Sequence, residues 1–89
     1  MAGQRYRLRY KPPAAREIKK LPPQIRKRLG AKLEFFAAQK NPLDFAARLT
    51  KPADAQFRFR VGTYRVLFDL EGRDIVVLHV QHRRDVYRR

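Results

Sequence analysis

The stretch from Phe57 to Leu70, FRFRVGTYRVLFDL, allows very few folded arrangements. Phe57, Phe59 and Val61 alternate with Arg58 and Arg60, a period of two that gives a strand one apolar and one basic face. Gly62-Thr63 then reads as a two-residue hairpin turn, with Gly62 available for the positive-φ first position of a type II′ turn. That turn pairs Val61 with Tyr64 and sets Arg60 directly opposite Arg65. Like charges facing each other across a ladder are destabilising. A chain that gathers Arg58, Arg60 and Arg65 on one face needs an anion there, and a phosphate is the natural one.

Whole-chain charge points the same way. There are 22 Lys and Arg against 8 Asp and Glu, a formal net charge of +14 over 89 residues. Charge of this size concerns partners and solubility rather than fold, and polyphosphate surfaces or an acidic protein are the expected partners. Several chemistries are excluded. With no cysteine, there is no disulfide, thiolate metal site or Cys nucleophile. His79 and His82 lie three apart on an expected strand with no carboxylate cluster, so no metal site is expected. No apolar run approaches the roughly 18 residues of a membrane span, and the N-terminus lacks a signal-peptide core. The expectation is a soluble, cytoplasmic protein without membrane contact, its residues 1–89 forming one domain.

Arg5 to Lys11 alternates as well, with Tyr6, Leu8 and Tyr10 on one face and Arg5, Arg7, Arg9 and Lys11 on the other. This is a first strand at or near a sheet edge, where charge also blocks edge-to-edge pairing. Pro12-Pro13 suits a helix start, and Ala14, Ile18 and Leu21 share one side of a short helix. Pro22-Pro23 opens a second helix whose stripe is Ile25, Leu29, Leu33 and Phe36, ringed by Arg26, Lys27, Arg28, Lys32 and Lys40. Asn41-Pro42 should stop it. Leu43 to Leu49 is apolar enough to pack as a helical turn or an irregular cover, and 51–56 reads as a loop. Strand three turns Tyr64, Val66, Phe68 and Leu70 toward the helices. The last strand, Ile75 to Val80, is apolar on both faces, which suits a central position. Its register depends on whether the turn at Glu71-Gly72-Arg73-Asp74 is even or odd. The expected class is α+β: an N-terminal strand, a helical hairpin, then a three-stranded antiparallel meander, in one sheet with helices on one face.

Taken together, the early strand, KKLPPQIRKRL, the NP followed by an apolar stretch ending in RLTK, FRFRVGTYRVLFDL and VQHRRDVYRR resemble the RelE/ParE toxin superfamily of toxin–antitoxin modules. The resemblance covers nearly the whole chain. It implies the toxin of a type II system, an mRNA endonuclease that works in the ribosomal A site among ribosomal RNA, without metal or cofactor. The 2′-OH would attack the neighbouring phosphate, leaving a cyclic phosphate and a 5′-OH. It also implies an acidic, RelB-like antitoxin as partner. Carried over by position, Arg58 and Arg60 match the basic pair of the second strand, Arg65 the arginine after the turn, Arg83 the arginine of the last-strand motif, and Tyr87 the C-terminal tyrosine. Fixed guanidinium forks stabilise a dianionic phosphorane, and Tyr87 would stack on a base or orient the sugar.

One departure matters. The second-strand positions are often lysine in the family, and a lysine of lowered pKa can act as general base. Arginine stays protonated in proteins. The proton then goes either to His82, the best-suited titratable group, or to water or RNA under charge stabilisation alone. His79 reads as a packed strand residue, and Asp69 and Asp85 as possible partners for the arginines in the free protein. Two other readings stay open: a ParE-type toxin that poisons DNA gyrase, and an inactive basic nucleic-acid binder of the same fold.

Overall fold

The structure, a computed structural model, describes residues 6–50 and 55–86, with side chains placed as far as residue 84. Strand β1 (Arg7–Tyr10) leads into helices α1 (Pro12–Lys19) and α2 (Pro23–Ala37). A 3-10 turn (Pro42–Phe45) and a two-residue strand β2 (Ala47–Arg48) follow. Strands β3 (Phe57–Val61), β4 (Tyr64–Glu71) and β5 (Asp74–His82) form the meander, and a single helical turn α3 (Arg83–Val86) closes the described chain. The sheet has five strands in the order β1-β5-β4-β3-β2.

Proline sets both helix starts. It occupies the first turns of α1 and α2, where its missing N–H leaves no hydrogen bond unmade and its fixed φ is already helical. Leu21 and Pro22 each precede a proline, which disfavours helical backbone there and separates the two helices. Helix α2 ends at Ala37, short of Asn41-Pro42. The Gln39 side chain donates to the Phe35 carbonyl at that end, while the Asn41 side chain accepts from Leu43 N and caps the 3-10 turn instead.

The expected class holds, with additions. β1 runs from Arg7 rather than Arg5, which lies outside the described residues, and pairs parallel with β5 at one edge. β5 is central, as its two apolar faces require. Leu43 to Leu49 is neither purely helical nor irregular. Its end adds β2 as a fifth strand antiparallel to β3, Ala47 facing Arg58. Two residues carry too little alternation to be read as a strand. Glu71 pairs with Asp74 across Gly72-Arg73, so that turn is even, with Gly72 at φ 59°.

The core lies between the helices and one sheet face, built from Leu29, Leu33 and Phe36 of α2 against Phe59, Val66, Phe68, Ile75 and Val77. Phe36, Phe59 and Phe68 stack in a column with centroids 4.2 Å apart at each step. Burying each such ring stabilises the fold by roughly 1.5–3 kcal/mol. One irregularity decides what faces what. Leu67 pairs with His79 but Phe68 pairs with Val77, so Leu78 is an extra residue in β5. Beyond this bulge the sides of β5 exchange: Val80 joins Ile75 and Val77 in the core, and His82 comes opposite Tyr64.

Candidate functional site

The β3–β4 hairpin forms as its sequence requires. Val61 pairs with Tyr64 and Arg60 with Arg65. Gly62 has φ 59° while no non-glycine residue among those described has positive φ, as a turn with only its first central residue left-handed demands. Phe57, Phe59 and Val61 anchor β3 in the core. Arg58 and Arg60 therefore emerge on the opposite face, and their positions follow from the burial of their neighbours.

At the turn end of this face, Arg60, Arg65 and Arg83 line one cleft of about 320 Å³ with Gly62, Thr63 and Tyr64. Arg83 arrives from the other side of the sheet's end. Its N–H donates to the Thr63 carbonyl at 2.6 Å, fastening the start of α3 to the hairpin turn. None of the ion pairs among the described residues involves these three arginines. Three guanidinium groups, none of which loses its proton, converge on a space that no described carboxylate lines. Such a cleft is suited to the non-bridging oxygens of a phosphate, which guanidinium forks bind in pairs.

Of the other expected site residues, Arg58 sits one pleat further along the same face, half-buried between Ala47 and Leu67. Gln81 of β5 faces Arg65 directly, a neighbour that sequence reasoning missed because the bulge at Leu78 changes which residues of β5 share that face. His82 does not line the arginine cleft. It packs edge-on against Tyr64 with ring centroids 5.0 Å apart. Its Nδ1 accepts the Arg84 amide at 3.0 Å, which fixes the remaining ring proton on Nε2, 3.2 Å from the Thr63 hydroxyl. Tyr87 and the side chain of Asp85 lie outside the described residues. Asp69 accepts from the Gln56 amide at 2.8 Å.

The basic face of β1 is differently constituted. Arg7 Nε and Arg9 Nη1 both donate to the Asp74 carboxylate, at 2.9 and 3.2 Å. The Arg7 hydrogen bond is the chief influence holding the Asp74 carboxyl below the usual carboxylate range; partial desolvation opposes it and Arg9 adds to it. His79 lies on β5, as expected, but its side chain is only half-buried, and its Nδ1 lies 3.4 Å from Glu17 Oε2. Among the described residues no group of three or more acidic or histidine side chains is placed to hold a metal ion. No described helix is long and apolar enough to cross a membrane.

A second depression lies between the helices, lined by Tyr10, Ala15, Ile18, Arg26, Leu29, Gly30 and Leu33. It is mainly apolar, and a Cβ added at Gly30 would meet nothing within 4 Å.

Comparison with known proteins agrees with this architecture. The family model described as ParE toxin of type II toxin-antitoxin system, parDE, matches residues 8–87. The chain is 39% identical over 88 residues to Toxin RelG of Mycobacterium tuberculosis, covering 94% of this chain and 98% of that one. In structure it resembles a chain of the toxin-antitoxin complex RelBE2 from Mycobacterium tuberculosis, with a TM-score of 0.74, 30% identity, and coverage of 89% of this chain and 99% of the other. It is also similar in fold to a chain of the intact E. coli RelBE toxin-antitoxin complex, at a TM-score of 0.68, 20% identity, and coverage of 86% and 95%.

Proposed function

The chain belongs to the RelE/ParE family of type II toxin–antitoxin toxins, and from that premise we propose that it is an endoribonuclease cleaving mRNA on the ribosome. The observation that supports this reading best is the cleft of Arg60, Arg65 and Arg83, cationic on three sides and without a described counter-ion.

In this reading the scissile phosphate enters the cleft and the three guanidinium groups hold its non-bridging oxygens, with Arg58 adding charge from the next pleat. The ribose 2′-oxygen attacks phosphorus, a P–O2′ bond forms and the P–O5′ bond breaks. The products are a 2′,3′-cyclic phosphate and a 5′-hydroxyl. Negative charge grows on the phosphorane, so contacts that tighten there lower the barrier more than they aid binding. Arginine does not take the 2′-OH proton. Both nitrogens of His82 are engaged, one by the Arg84 amide and one beside Thr63, which favours proton loss to water or RNA. Tyr87 is assigned to stacking on a base.

The partner in this reading is a RelB-like antitoxin rich in Asp and Glu. Relatives solved as toxin–antitoxin complexes support such a partner, as does the net charge of +14. It would cover the basic sheet face and the depression between α1 and α2.

The family description names a ParE toxin, which favours one second reading, the ParE-type toxin that the sequence resemblance associates with DNA gyrase. Purified protein incubated with mRNA, with and without programmed ribosomes, and separately with gyrase and relaxed plasmid, separates the two. Cleavage only with ribosomes supports the endonuclease. Inhibited supercoiling without cleavage overturns it in favour of the gyrase toxin, and neither effect leaves an inactive binder.

A further inference from the structure

We infer that Glu17, on α1, is a positioning residue for the arginine cleft, acting through the backbone of β5. β1 supports β5 only as far as the Tyr10–Val77 pair and the Lys11 N–H to Val77 carbonyl bond. The bulge at Leu78 begins where that support ends. Past it, the outer side of β5 would present unpaired backbone groups. Glu17 reaches across from α1, and its Oε1 accepts the Val80 N–H at 2.7 Å, while Oε2 lies 3.4 Å from His79 Nδ1. One carboxylate thus stands in for the missing strand.

What it holds is specific. Val80 is followed by Gln81, which faces Arg65, and His82, which faces Tyr64. Arg83 comes next, with its N–H on Thr63 O and its side chain on the cleft. Arg60, Arg65 and Arg83 repel one another, and Arg83 is the member carried just beyond β5 rather than in the hairpin. Without a fixed β5 terminus, that repulsion moves Arg83 away. The charge balance sharpens the point. Only 8 residues of the chain are acidic, and Glu17 is the sole acid of α1, beside Arg16, Lys19 and Lys20. Its carboxylate is directed at a backbone amide and a histidine, and none of the described ion pairs joins it to those cations.

The inference rests on the endonuclease reading for its catalytic consequence, and the test separates the two. Glu17→Ala removes the acceptor, Glu17→Asp draws it back by one methylene, and Glu17→Gln keeps an oxygen acceptor for Val80 N–H. Amide hydrogen exchange should show Val80 losing protection in Glu17→Ala and Glu17→Asp, with Ile75 to Val77 unchanged. Single-turnover cleavage on programmed ribosomes should fall roughly 10- to 100-fold in both, the scale of a misplacement of about 1 Å. The protein concentration for half-maximal rate should change little, and Glu17→Gln should remain near wild type. If Glu17→Ala fails to fold, the Asp and Gln variants still decide. Should wild type not cleave, inorganic pyrophosphate titrated against the Arg65 and Arg83 Nε–H signals gives the independent reading. Weaker binding in Glu17→Asp, restored in Glu17→Gln, supports positioning. Loss of Val80 protection with unchanged cleavage, or unchanged pyrophosphate binding where cleavage is absent, overturns it and leaves Glu17 as an edge cap.

Discussion

At Arg65 the polar side of the sheet meets the hairpin turn, and the guanidinium adds charge to the cleft while contributing nothing to the core. Arg65→Ala should therefore lower single-turnover cleavage by about 10²–10³, by analogy with loss of one oxyanion donor, and leave the urea midpoint nearly unchanged. Its neighbour behaves oppositely. Tyr64 packs on the core and on His82, so Tyr64→Ala should act first on the urea midpoint. For His82, whose Nδ1 accepts a backbone amide, the expected result of His82→Gln is an unaltered pH dependence of cleavage. A pH-dependent limb that vanished in the variant would make His82 the base. The placing of Arg60 opposite Arg65 was readable from sequence because a two-residue glycine turn and strict alternation determine register together. The side taken by His82 was not. A bulge is set by packing of the whole sheet, and VVLHVQH carries no local mark of which residue is extra.

Elements show the same division. Both helix starts and the meander follow from local rules, since proline pairs and period-two runs act within a few residues. β2 and the parallel pairing of β1 with β5 depend on partners far away in the chain, and local pattern is silent about them. The hairpin turn offers a direct check on the local rule. Gly62 sits at φ 59°, and Gly62→Ala should cost about 1–2 kcal/mol in urea unfolding. Gly30→Ala on α2, where a Cβ finds open space, should instead add up to about 1 kcal/mol. The join between β1 and β5 can be tested through its carboxylate. Asp74 has its folded-state pKa lowered by Arg7, so its contribution is complete above the unfolded carboxylate value and is lost as pH falls through the folded one. Urea midpoints followed downward from neutral pH should show that limb in wild type and lack it in Asp74→Asn.

For the molecule as a whole, charge and shape differ from face to face. The arginine cleft lies at the hairpin turn, and the apolar depression around Gly30 lies between the helices. If the antitoxin fills that depression, Gly30→Trp should leave growth arrest by the lone toxin intact while weakening rescue by the co-expressed partner. Rescue equal to wild type would move the antitoxin elsewhere. Binding of the acidic partner should also weaken as salt rises, since exposed charges more than about 8–10 Å apart are screened at physiological ionic strength.

The sheet order β1-β5-β4-β3-β2 also has a temporal meaning. Among the described strands, β1 pairs with β5, the one made last, and Arg83 follows it. At about 5–20 residues per second, the stretch from the start of β1 to the end of β5 takes roughly 4–15 s to synthesise. Throughout that interval α1 and α2 have no completed sheet to lie on, and Arg60 and Arg65 wait without their third companion. A chain whose β5 is not yet made thus carries no finished cleft. Closure then requires β1 and β5, paired residues 67 positions apart, to find each other, a long-range search of the kind that slows folding.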